Sequence, residues 1–290
     1  NDLVTNESVA MSALVGMEWH KLIRRRASWL LMAIIAVISA VVPPLIYFSL
    51  KYAESDATDA KSKAALALVR DQMVFPNALA HAVVNALAFG IPLMIVLTAM
   101  HFGNEYAWGT IRLLLSRGEG RGAFVLSKVL ALTFWWGATL ILAISLSWIS
   151  STVIGVIDDR PMLFDASGSD WSLFVGRFAA AWLGGLVYAA LTLAVTVRLR
   201  STAFGVAMGL GAFFGERISG AGLALIDLLP IQILMRAGPS YNVRSLIDGL
   251  DGQENPLAIA MVAVAFYTLA FTWGTIRFLR RNDVLTGGAS

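Results

Sequence analysis

Charged side chains are scarce in this chain, so its chemistry must lie where they gather. Residues 102–128 gather Glu105, Arg112, Arg117, Glu119, Arg121 and Lys128 between two long apolar runs. Within that stretch Ile111, Leu114 and Leu115 fall at i, i+3 and i+4, an apolar helical face with Arg112 and Arg117 off it. Gly109 before the face, and Gly118, Gly120 and Gly122 after it, allow sharp turns. The pattern predicts a short helix lying parallel to a membrane. A passive connection needs only a few polar residues, so an apolar knob facing water reads as a docking surface. The chemistry expected here is recognition of another protein.

Reactive constellations are missing. His20, His81 and His101 are not at metal-ligand spacing, and each is expected to be an interfacial or packing residue. The chain has no cysteine, which excludes disulfides, thiolate metal sites and a cysteine nucleophile. It also lacks a Gly-x-x-x-x-Gly-Lys-Ser/Thr phosphate loop and a Gly-x-Ser-x-Gly elbow. Asp158–Asp159 reads as a solvated turn before Pro161 rather than an acid–base pair. The methionines are scattered, which leaves a copper relay unsupported. By itself the chain is not expected to be an enzyme, and it carries no cofactor or metal site of its own.

The elements that must position the docking segment follow from composition. Hydrophobic residues are 58% and charged residues 14% of the 290 residues. Soluble domains run near 45–50% and about 25%. The apolar residues fall in blocks close to the roughly 20 residues a helix needs to cross a bilayer core. Six spans are expected: 29–50, 77–100, 123–149, 173–197, an irregular one starting at Thr202, and 256–276. The runs are continuous rather than alternating, which argues for helices and against a barrel. The first is too long for a signal-peptide core and lacks a small-x-small exit before Lys51. The fold class is therefore all-α integral membrane, one transmembrane domain over 1–290: a tail and elbow helix at 1–28, a bundle at 29–277 and a tail at 278–290.

Loop charges orient the bundle. Lys21, Arg24, Arg25 and Arg26 precede the first span with only Glu18 opposing. Basic residues also dominate after the second, fourth and sixth spans, whereas 156–171 holds four aspartates against Arg160. The positive-inside rule then puts both termini in the cytoplasm. Basic residues at membrane exits, rather than on one soluble face, argue against nucleic acid as a partner. In the elbow, Val15, Trp19, Leu22 and Ile23 share a helical face, the pattern of a helix lying in the interface plane. Trp19, Leu22 and Arg24 are its candidate partner contacts.

The fifth span is expected to stop at Gly215. Glu216 and Arg217 follow, and a mid-bilayer charge costs about 2.5–3.5 kcal/mol. A Gly-rich break and a short re-entrant run to Pro230 would come next, making Glu216, Arg217 and Asp227 candidate pathway or gate residues; the alternative is one long kinked helix with the Glu216–Arg217 pair facing the bundle. The pairs Gly205/Gly209 and Gly211/Gly215 permit close helix contact, within the chain or across a dimer seam. Trp135, Trp136 and Trp182 fall deep, as packing residues or as lining for a substrate. Trp108–Arg112 recurs as Trp273–Arg277 with unmatched flanks, which reads as coincidence or shared interfacial chemistry rather than a repeat.

The run Glu105-x-x-x-Gly109-Thr110-Ile111-Arg112-Leu113-Leu114-Leu115-Ser116-Arg117, followed by Arg121 and Lys128, resembles the cytoplasmic loop of type-two ABC transporter permeases, the export-type membrane subunits. The elbow, the six spans, the irregular segment after the fifth and the tail with Arg280, Arg281 and Asp283 extend the likeness along the whole chain. The resemblance implies a permease dimer in the plasma or inner membrane. Each copy would dock on a separate ATP-binding subunit that holds ATP and magnesium. It further implies that Glu105, Gly109, Thr110 and Arg112 shape the loop, with Leu114, Leu115 and Arg117 at or near the ATPase groove. A secondary transporter or channel without an ATPase partner is the alternative, and it would need ionisable groups at mid-membrane. The apolar, aromatic interior favours an amphiphile, lipid, peptide or hydrophobic drug over a small ion.

Overall fold

The computed structural model describes residues 2–74, 78–111, 120–158, 168–223, 238–250 and 257–281. These form the helices α1 (Asp2–Arg24), α2 (Arg26–Asp56), α3 (Ala60–Asp71), α4 (Ala78–Ala107), α5 (Arg121–Ile157), α6 (Gly168–Leu199), α7 (Thr202–Leu223), α8 (Pro239–Leu250) and α9 (Leu257–Arg281), with no strand among the described residues. Five of them, α2, α4, α5, α6 and α9, are long and apolar enough to cross a bilayer. The chain is a multi-pass, all-helical membrane protein.

The helices overrun the expected spans. The 37 residues of α5 extend about 55 Å, well beyond a hydrocarbon core of roughly 30 Å. Apolar runs mark only the part of a helix that meets lipid. Backbone hydrogen bonding continues into the polar flanks. Breaks occur where the chain turns extended, as at Arg25 between α1 and α2 (φ −80°, ψ 120°) and at Gly120 before α5 (φ −63°, ψ 124°). The turn between α6 and α7 holds Arg200 at φ 50°, a left-handed position for a non-glycine residue.

α7 departs from expectation. It runs unbroken through Glu216 and Arg217 to Leu223 instead of ending at Gly215. Both charges find local partners: Tyr188 donates a hydrogen bond to Glu216 at 3.2 Å, and the Arg217 guanidinium lies 4.5 Å from the Phe213 ring centroid. Nothing therefore forces the helix to stop. The expected re-entrant run, including Asp227, lies outside the described residues.

α4, α5 and α6 build the core, with α2 against α5, α9 against α6, and α7 across α4 and α6. Trp136 is the centrepiece. A Cβ at Gly185 would meet its ring nitrogen at 2.3 Å, and one at Gly90 would meet its ring carbon at 2.7 Å. The two glycines thus open the slot in which a 1% exposed indole sits. Trp136 Nε1 donates to the Trp182 carbonyl at 3.2 Å, and Trp182 Nε1 donates to the Thr133 carbonyl at 3.0 Å, pinning α5 to α6.

At the far end of α2, Tyr47 donates a hydrogen bond to Asp158 and Lys51 forms an ion pair with it. Asp158 is thus a partnered residue that ties α2 to the end of α5, not a solvated turn; Asp159 lies outside the described residues. The two Trp-Gly-Thr-Ile-Arg copies differ in conformation: Gly109 sits in a turn at φ +68°, whereas Gly274 lies inside α9.

Candidate functional site

Where α1 meets the adjoining ends of α4 and α5, five ionisable side chains come together out of water. Glu18 on α1 is fully buried. Its carboxylate accepts from Lys21 at 2.6 Å and from Lys128 at 2.7 Å, and His101 Nε2 stands 3.0 Å away. Glu105 on α4 accepts from Lys128 at 2.7 Å and from Lys21 at 2.9 Å. Lys128, fully buried on α5, also lies 5.0 Å from the Phe124 ring and 5.2 Å from the Phe102 ring.

Two carboxylates face two ammonium groups, so the cluster balances its charge with His101 neutral. Burial alone raises the pKa of Glu18. The His101 contact and the Lys128 charge outweigh that and hold the carboxyl well below the usual carboxylate range. Burial lowers the Lys21 ammonium, but the Glu105 and Glu18 carboxylates outweigh it and the net shift is upward. One acceptor stays open: Glu105 Oε2 is buried with no hydrogen-bond partner among the described residues.

The corner after α4 is built from the segment that the sequence marks. Gly109 takes a left-handed φ of +68°, which a side chain would strain. The Thr110 hydroxyl donates to the Glu105 carbonyl at 3.3 Å, closing the turn over the helix end. Trp108 is 67% exposed, with the Arg25 guanidinium 5.8 Å from its ring; Arg25 also donates to the Met100 carbonyl at 3.3 Å. Ile111 corrects an expectation. It is 2% exposed and packs into the protein's own core, so it is not part of an outward knob. Arg112, Leu114, Leu115 and Arg117 lie outside the described residues.

Arg121 opens α5 and donates to the carbonyls of Leu279 and Arg280 at 2.6 and 3.1 Å. It satisfies carbonyls at the end of α9 that have no partner within that helix. Of the elbow residues, Leu22 is fully buried, and Trp19 is half-buried with its ring edge-on to Trp135 at 5.7 Å. Arg24 is exposed. Glu216 and Arg217 lie apart from this cluster on α7, and no group of residues able to hold a metal occurs among the described residues.

Sequence reasoning singled out Glu105 and Lys128 but missed Glu18 and His101. A signal for Glu18 was present. With Val15, Trp19 and Leu22 it falls at i, i+3, i+4 and i+7, a carboxylate set in an apolar stripe. His101 stands one turn before Glu105 on α4, on the same face.

A comparison with curated proteins finds no match. A family model does match, over residues 34–224, more than half of the chain. It is described as "Protein of unknown function (DUF2705)", and the chain belongs to that family.

Proposed function

We propose that the chain is the permease subunit of an ATP-driven exporter: six spans in the cell membrane with α7 as the fifth, both termini in the cytoplasm, and a second copy beside it. ATP and magnesium would be held by a separate ATP-binding subunit docked on residues 112–117. The observation that carries the reading is the buried cluster of Glu18, Lys21, His101, Glu105 and Lys128. It fastens the elbow helix to both helix ends that flank the docking segment. A push on that segment would then move α1, α4 and α5 as one body rather than flexing a loop.

Purification of the tagged chain from its native membrane tests the reading. The expected result is a stoichiometric ATP-binding subunit in the eluate, with ATPase activity that depends on the chain. Arg112→Glu combined with Leu114→Asp should uncouple that ATPase from transport without unfolding the bundle. Transport by the purified chain alone, without nucleotide, would overturn the proposal.

A further inference from the structure

A groove of about 510 Å³ opens between α1, α5 and α6, and every side chain lining it is apolar. Gly137 and Ala138 form its floor, while Trp19, Phe134, Phe178 and Trp182 form its walls. Small residues between large aromatic ones leave a trough rather than a flat helix face. From Phe134 to Ile141 it follows α5 for about 10 Å.

One end of the trough lies at a charged corner. Trp19 stacks edge-on against Trp135, and Trp135 against Trp29 at 5.6 Å, so the mouth is level with the start of α2. Trp29 is half-exposed, as tryptophans at lipid headgroup depth are. Beside them the α1–α2 corner carries four basic side chains. Lys21 is taken by Glu18 and Glu105, and Arg25 by the Met100 carbonyl and the Trp108 ring. Arg24 and Arg26 are exposed and make no hydrogen bond or ion pair among the described residues.

We propose that this corner holds an anionic phospholipid, with one acyl chain in the trough over Gly137 and Ala138 and the phosphate between Arg24 and Arg26. The occupant follows from complementarity. The trough offers no polar group to a peptide or sugar, and the two cations at its mouth select a negative headgroup from the surrounding bilayer. The bound lipid would wedge α1 against the bundle beside its ionic anchor, since Val15 and Trp19 share a helical face with Glu18. The inference stands independently of the transport reading.

The test uses the full chain purified in mild detergent and offered phosphatidylglycerol or phosphatidylcholine with brominated acyl chains. Native mass spectrometry counts retained lipid, and tryptophan quenching reports contact with Trp19 and Trp182. One retained phosphatidylglycerol per chain is expected, with no retained phosphatidylcholine. The variant R24Q/R26Q should weaken retention about thirtyfold, corresponding to about 1 kcal/mol per removed charge. Ala138→Leu, which fills the trough from an exposed position without adding an indole, should reduce quenching; should it fail to fold, the arginine variant carries the test alone. Equal retention of both lipids by the unsubstituted chain, or retention unchanged in R24Q/R26Q, would mean boundary lipid only and overturn the proposal.

Discussion

Glu18 holds a negative charge where water is excluded, and its neighbours decide whether that is tolerable. Removing one partner from a buried ion pair costs about 3–5 kcal/mol, because the remaining charge is stranded. Lys128→Met should therefore destabilise the protein by about that much, read as a fall in the thermal midpoint in detergent. Adding Glu18→Gln should recover most of the loss, because Glu105 then faces Lys21 alone. The cluster also sets a pH window. Glu18 is held below its ordinary value of 4.5 by His101 and Lys128, which outweigh its burial, so its contribution is present above that value and lost as pH falls further. Lys21 is held above its ordinary 10.5 by Glu105 and Glu18, so its contribution is present below that value and lost only as pH rises through the shifted one. The thermal midpoint should be flat between those limits, and Glu18→Gln should remove part of the acid limb. Much of this site was legible in residue types, since Glu105 and Lys128 are conspicuous charges in an apolar chain. The ion pair between them was not, because it needs α1 to bring Glu18 and Lys21 to the same point, and sequence spacing does not reveal contacts between helices.

Among the helices, glycine placement separates two kinds of surface. A Cβ at Gly205 would meet Thr196 Oγ1 at 2.0 Å, and one at Gly209 would meet Ile95 and Thr192 at 2.6 Å. Gly103 is as tight, with the Thr202 Cα at 2.8 Å. These glycines let α4, α6 and α7 pack with their backbones close together. Gly205→Leu should cost about 1–3 kcal/mol through overpacking, measured by unfolding in mixed micelles. A Cβ at Gly211 or Gly215 would meet nothing within 4 Å. Sequence showed two identical spacings and left their roles open. Their different phases around α7 decide which pair faces inward, and that depends on where α4 and α6 stand. Helix positions themselves were readable, because continuous apolar blocks have few other outcomes in a membrane. The stop expected at Gly215 was not observed, because Tyr188 on α6 and Phe213 one turn back on α7 accommodate charges that hydropathy treats as bare.

For the molecule as a whole, the open glycines bear on the proposed second copy. Gly211→Leu with Gly215→Leu should leave the unfolding stability within about 0.5 kcal/mol of the unsubstituted chain, as surface changes usually do. It should nevertheless reduce the dimer fraction in light scattering of detergent-purified protein; an unchanged fraction would remove α7 from the seam. Multi-pass character was readable from composition, whereas the arrangement of helices around α6 was not, since lipid-facing and core-facing residues are equally apolar here. The long-range bond between Glu18 and Lys128 has a consequence for how the chain is made. Their 110-residue separation corresponds to about 5–20 s of synthesis. Throughout that interval Glu18 has no buried counter-ion, so α1 must wait in water or at the membrane surface while α2, α3 and α4 are laid down. α1 is thus locked in only after α5 has begun to form, and a nascent chain halted before Lys128 should keep a probe at position 18 open to aqueous labelling.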